Sequence, residues 1–325
     1  MATIGNNCLT LTDWAKRIDP EGKTAVIVEM LSQTNEILQD AMWIEGNLPT
    51  GHRTTVRTGL PEVTWRLLNK GVRKSKSTTA QITHDAGMLE ARSEVDQELA
   101  DLNGNTNEFR LSESQAYIEA MGQEMAETMF YGDSSEPESF VGLAPRYNDL
   151  SAESGQNIID GGGNDTDLTS IWLVCWGQMM TSCFFPKGSK AGLMHEDLGL
   201  QDAFDEDQNR YRAYMDQYKW KAGMAVRDWR WNVRIANLDV SEVDAGNVDL
   251  INLMIKAIHR LPAQGMGNCY FYMNRTMREK LDIQAKDANN VELMMGEFAG
   301  EWRTNFRSIR LRTVDRIING ETRVV

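Results

Sequence analysis

The stretch GMAVRDWRWNVRIAN, Gly223 to Asn237, packs arginines and tryptophans into a short span. Three readings compete: a surface that reads nucleic acid, an aromatic cage for a cation, or a strand. Taken two residues at a time, Trp229, Trp231, Val233 and Ile235 share one face, and Asp228, Arg230, Asn232 and Arg234 share the other. Strict alternation predicts a half-buried strand, with tryptophans in a core and arginines toward solvent or a partner. A nucleic-acid platform exposes aromatic and basic side chains together, and alternation separates them.

The neighbouring segments build a mixed α+β chain around this one. SIWLVCWG (170–177) is a continuous apolar run, as in a fully buried strand. NVDLINLMIKAIHRLP reads as a helix with Val248, Ile251, Ile255 and Ile258 on one face, stopped by Pro262. CYFYM is β-rich, Asn274 is placed to cap the helix RTMREKLDIQA, and SIRLRTVDRII alternates Ile309 and Leu311 with Arg310 and Arg312. HEDLGLQDAFDEDQN reads as a solvated acidic excursion, and NIIDGGGNDTD as a loop.

Upstream, a 3.6-residue period over Leu111, Ile118, Met121, Met125 and Met129 predicts a long helix ending at Tyr131-Gly132-Asp133, with Ser112 and Gln115 as a capping box near its start. Residues 52–90 are rich in Thr, Val and Arg and read as a long hairpin. Val63, Trp65 and Leu67 alternate with Thr64 and Arg66, Asn69-Lys70-Gly71 turns, and TTAQITHDAGML runs back. Arg66, Lys70, Arg73, Lys74 and Lys76 cluster at its tip. The first fifty residues read helical, with caps at Asp13 and at Asp19-Pro20.

The totals narrow the function. The chain has 325 residues, enough to bury a large core, and a net charge of −13. An acidic body does not bind duplex DNA by neutralising phosphates. The start carries no signal-peptide pattern, no apolar run reaches membrane-spanning length, and the four cysteines read as reduced core residues. No H-E-x-x-H, phosphate loop, G-x-S-x-G or G-x-G-x-x-G is present. The densest candidate metal ligands are Asp160, Asp165 and Asp167 around Gly161-Gly162-Gly163, and His195-Glu196-Asp197. Neither has the spacing of an established metal loop, so no cofactor, metal or catalytic residue is expected.

The order of elements, together with NEILQDAMWIEGNLPTGHRTTVRTGLP, RSEVDQELADLNGN, YIEAMGQEMAETMFYGD, VRIANLDVS, CYFYMNRTM and the terminal FRSIRLRTVDRIINGETRVV, resembles the major capsid proteins of tailed, short-tailed bacteriophages, which have the Hong Kong 97-type fold. The resemblance covers nearly the whole chain. It implies an N-terminal arm over 1–51, an extended loop over 52–92, a peripheral domain with its spine helix over 93–140, an axial domain over 141–262, and a peripheral return and tail over 263–325. It further implies a structural protein that assembles with itself into pentamers and hexamers of an icosahedral head around double-stranded DNA. The expected setting is the virion, assembled in the host cytoplasm with a portal protein, an optional cement protein and a separate scaffolding protein, and without a membrane.

Two further expectations concern the loop. Its basic tip is expected to dock on acidic surface of a neighbour, with Glu113, Glu119 and Glu124 of the spine helix as partners. Lys70, Lys74 and Lys76 lie where some members crosslink, but no acceptor or activating carboxylate matches, so crosslinking is not expected. The competing readings are an encapsulin-like compartment of the same fold, and a metal-dependent enzyme built on Asp160, Asp165, Asp167 and His195.

Overall fold

A computed structural model describes Leu9 and residues 33–325, apart from 206, 264–266, 288–292 and 299–300. The N-terminal caps expected at Asp13 and Asp19 lie outside the described residues.

The centre of the fold is the strand β5, Leu168–Trp176, buried at every position. Its alternate residues feed two cores. Trp172, Val174 and Trp176 face a cluster with Met125, Met129 and Phe130 of the long helix. Ile171, Leu173 and Cys175 face a second cluster with Leu250, Met254, Met277 and Leu281 of two other helices. A strand covered on both sides needs no polar face, which is why its sequence is a continuous apolar run.

Around β5 the strands order as β11-β12-β13-β10-β5-β6-β8-β3-β2. They span β2 Gly51–Gly59, β3 Thr78–Asp96, β6 Thr181–Phe185, β8 Arg210–Val226, β10 Asn268–Met273, β11 Leu293–Phe298, β12 Glu301–Phe306 and β13 Ile309–Thr313. Off this path, β1 (Trp43–Glu45) pairs with β6, β4 (Ile158–Asp160) with β9, β7 (Leu193–Phe204) with β8, and β9 (Asn232–Asp239) with both β4 and β5. The helices are α1 Ile37–Asp40, α2 Gln97–Ala100, the long α3 Thr106–Tyr131, α4 Val240–Asp244, α5 Leu250–Arg260 and α6 Arg275–Asp287. The three C-terminal-half helices start on side-chain caps: Asp239, Asp249 and, as expected from the sequence, Asn274, whose Oδ1 accepts the Met277 N–H at 2.8 Å.

Helix α3 runs 26 residues and ends at Gly132. A Cβ there would lie 2.2 Å from the Phe140 carbonyl oxygen, so the return of the chain requires glycine. Met121, Met125 and Met129 are buried as expected, whereas Leu111 and Ile118 are exposed. Ser112 is no cap. It sits inside the helix and its hydroxyl donates to the Phe109 carbonyl, while the start lies at Asn105–Thr106.

The opening stretch is not one strand. It is the end of β8, a single tight turn over Trp229–Trp231, and the whole of β9 up to Asn237. The Asp228 carboxylate accepts the Arg230 N–H and ends the alternation. Trp229 then packs against the core containing Trp172, and Trp231 enters the other. Strand β9 is buried on both faces, so Arg234 lies inside the protein rather than at solvent. Gly223 also has a packing reason: a Cβ would meet the Phe184 ring at 2.4 Å.

Three other readings are corrected. Residues 195–204 belong to strand β7, hydrogen-bonded along β8, because pairing with a long neighbour overrides an acidic composition. The segment 61–68 is irregular, since alternation without a covering layer leaves its side chains nothing to pack against. The cysteines are not all reduced: Cys175 and Cys269 sit directly opposite on antiparallel β5 and β10 and are joined as a disulfide, while Cys183 is free and buried.

Candidate assembly surface

The hairpin β2–β3 projects from the sheet. Where it leaves the body it is anchored by a buried histidine pair. His52 and His84 face each other in the ladder, 5% and 4% exposed. An Arg227 guanidinium nitrogen donates to His52 Nε2 at 2.8 Å, and the His52 ring packs against Phe184 with centroids 5.5 Å apart. Burial first, and then the charges of Arg146, His52 and Arg227, push the His84 pKa down to about 4. Burial and Arg227 lower that of His52. The base of the hairpin therefore holds neutral imidazoles among arginines.

Beyond this anchor every residue from Leu60 to Thr83 is exposed. The strands pair up to Gly59 and Thr78, and the tip turns at Asn69 in the left-handed conformation, with the Lys70 N–H donating to the Leu67 carbonyl. Trp65 is 104% exposed, Leu68 92%, Val63 89% and Leu60 81%. Single exposed apolar residues are ordinary, but a run of them on one projecting segment marks a surface that another molecule covers.

The five basic tip residues, Arg66, Lys70, Arg73, Lys74 and Lys76, lie on this exposed segment. The expected acidic partners differ among themselves. Glu119 is half-buried and accepts from the Gln33 N–H and the Gln123 amide, both at 2.9 Å. Glu113 is half-buried, and Glu124 is exposed. Sequence reasoning missed the apolar content of the tip because it treated Val63, Trp65 and Leu67 as one face of a strand. Their absence from any local core was the available signal.

Of the four residues of the metal reading, Asp165 and Asp167 come together, and Asp160 and His195 are held elsewhere. Asp165 and Asp167 join Asp239 in a group whose ligand atoms lie within 4.8 Å of one another. Yet Asp167 accepts from the Ser241 N–H and hydroxyl, and Asp239 caps α4. Asp160 accepts from the Gly162 N–H and the Asn237 amide, both at 2.9 Å. His195 lies on β7, its Nε2 2.9 Å from Asp216, a carboxylate that also binds Arg110 of α3. These carboxylates serve as turn, cap and ion-pair groups, with Asp167 Oδ1 buried and without a hydrogen-bond partner among the described residues.

A sheet covered by a long helix on one side and two helices on the other, with an exposed two-stranded arm reaching away from it, is the architecture of a Hong Kong 97-type shell subunit. Residues 19–325 match the family model described as major capsid protein GP7. A chain in the structure of bacteriophage epsilon15 is 36% identical, with 100% of this chain and 99% of that one covered and a TM-score of 0.79. The bacteriophage JBD30 capsid shares the fold at 10% identity, covering 90% of this chain and 96% of that one with a TM-score of 0.53. No functionally curated protein sequence matches. The chain belongs to the family of phage major capsid proteins, and its role is structural, as part of the virion.

Proposed function

We propose that this chain forms pentamers and hexamers of an icosahedral head enclosing double-stranded DNA, and that the hairpin β2–β3 is the arm by which each subunit holds its neighbour. The observation that carries the reading is the tip from Leu60 to Ser77. It is exposed at every position, apolar at Leu60, Val63, Trp65, Leu67, Leu68 and Val72, and attached to the body only through its base. A two-stranded ribbon of this kind is marginal by itself and becomes stable when it lies on another surface. The apolar residues supply the contact area. Arg66, Lys70, Arg73, Lys74 and Lys76 orient it against an acidic surface, with Glu124 the exposed one of the three spine-helix carboxylates and Glu113 and Glu119 half-buried.

The proposed division into arm (1–51), extended loop (52–92), peripheral domain (93–140 and 263–325) and axial domain (141–262) follows the same reading. So do assembly in the host cytoplasm and partnership with separate scaffolding, portal and, optionally, cement proteins. The net charge of −13 suits a shell that does not adhere to the DNA it contains.

Electron microscopy of the expressed protein, alone and with the scaffolding candidate from its gene cluster, tests this. Uniform closed shells, or pentamers and hexamers, are the expected result. A stable monomer under both conditions would overturn it.

A further inference from the structure

The segment 319–325 lies along the surface of the body, held by its backbone and by two buried side chains, Glu321 and Val324. Both the Gly320 and Glu321 N–H groups donate to the Leu168 carbonyl, at 2.7 and 2.8 Å. The Asn237 amide brackets the Val324 backbone, accepting its N–H at 2.8 Å and donating to its carbonyl at 2.9 Å. The Leu150 N–H donates to the Val325 carbonyl at 3.1 Å. Val324 is 4% exposed and Glu321 8%, while Thr322 and Arg323 between them are exposed. Two side chains three residues apart thus enter the protein, and the two between them are exposed.

Glu321 is the electrostatic centre of this contact. One carboxylate oxygen accepts from Arg234 Nη2 at 2.8 Å and from the Ser170 hydroxyl, and the other from the Tyr131 hydroxyl at 2.6 Å. Arg234 lies over the Trp172 ring at 4.9 Å and also donates to the Ser170 hydroxyl and the Tyr147 carbonyl. Among the described residues Glu321 is its one carboxylate partner. Tyr131 is the last residue of the spine helix, Ser170 lies on β5 and Arg234 on β9. One carboxylate of the tail therefore ties the spine helix to the two central strands. Without it, a buried guanidinium has no counter-charge, which is strongly destabilising.

Chains fold from the N-terminus during synthesis, so β5, β9 and the spine helix are all made before their shared carboxylate. We propose that the segment 319–325 is a clasp that closes only after β5, β9 and the spine helix have been made, and that only chains with a closed clasp become competent to assemble. The assembly half of the proposal rests on the reading of this chain as a shell subunit. Such a clasp excludes prematurely ended chains from a shell, where one defective subunit would weaken every neighbour.

The test compares the full chain, a chain ending at residue 318, and Glu321→Gln in the full chain. Hydrogen exchange at 168–172 and 232–239 is read by mass spectrometry, and shells are counted by electron microscopy. The truncated chain is expected to exchange on the order of 100-fold faster there and to form no shells. The synthetic peptide NGETRVV, added in millimolar excess, is expected to restore its protection, and the same peptide with alanine for the glutamate is not. Glu321→Gln, which keeps the shape, is expected to exchange at least about tenfold faster; it decides the matter where the truncated chain precipitates. Unchanged exchange in Glu321→Gln, a truncated chain that forms normal shells, or a soluble truncated chain indifferent to the peptide would each overturn the proposal. Absence of shells from the full chain would sink the shell reading, while the exchange comparison would still judge the clasp.

Discussion

Acidification should loosen the base of the projecting hairpin through His84. The ring is 4% exposed, and its pKa falls to about 4 from 6.5 because of burial and the nearby Arg146, His52 and Arg227. The folded state thus binds this proton less readily than the unfolded state. Stability from the neutral ring is fully present above about pH 6.5, is lost progressively below it, and is gone once the pH passes about 4. At pH 5 the unfolded chain is almost fully protonated at this position and the folded chain hardly at all. The difference is worth about 2 kcal/mol relative to pH 7.5. Urea unfolding of the unassembled subunit at the two pH values, for the wild type and for His84→Phe, isolates it, since every other titrating group is common to both. The wild type should lose about 2 kcal/mol more than the variant. Parallel losses, or a His84 ring titrating near pH 6.5 by nuclear magnetic resonance, would refute the reasoning.

Replacing Trp65 with alanine should leave the subunit's fold unchanged, because the ring is fully exposed. Loss of an aromatic anchor worth about 2 kcal/mol should raise the concentration needed for shell formation about 30-fold, measured by light scattering. Lys74→Glu with Lys76→Glu should impair assembly without unfolding the subunit, and added salt should shrink the difference between variant and wild type. Normal shells from the double variant would remove the basic tip from the contact. Leu173→Ala, in the fully buried strand between the two cores, should cost about 2–5 kcal/mol in urea unfolding. Cys183 should resist iodoacetamide in the folded subunit, since burial pushes its thiol pKa up and closes access. Cys175 and Cys269 should become alkylated only after reduction and unfolding, as peptide mapping would show.

The legible parts of this chain were those where one local signal and the tertiary environment agree. Leu168–Trp176 reads as a buried strand because both its faces are covered, and Asn274 reads as a cap because the helix after it begins where the asparagine stands. The long helix was visible through Met121, Met125 and Met129, which pack on the sheet, though its apolar positions at Leu111 and Ile118 turned out to be exposed. Strand β7 was hidden because its acidic composition describes its exposed edge, and only its pairing with β8 reveals what it is. The Cys175–Cys269 bond joins residues 94 apart in sequence, and nothing in either local run announces the register that places them opposite each other.

Arg234 shows the limit most clearly. Period-two alternation says which residues share a face of a strand, but it does not say whether the second face meets water. In β9 it meets Tyr147, Trp172 and the tail, so the arginine placed at the surface by alternation became a buried charge, paired with Glu321. The compensating carboxylate lies 87 residues away, in a tail whose sequence, NGETRVV, has neither an apolar run nor a period. Its burial depends on two positions only, Glu321 and Val324. The same logic applies in reverse to the hairpin tip. There alternation suggested a covered face at Val63, Trp65 and Leu67, and all three are exposed. In both places the pattern recorded a real pairing whose second member was distant: the tail for Arg234 and, on the proposed reading, a second copy of the chain for Trp65.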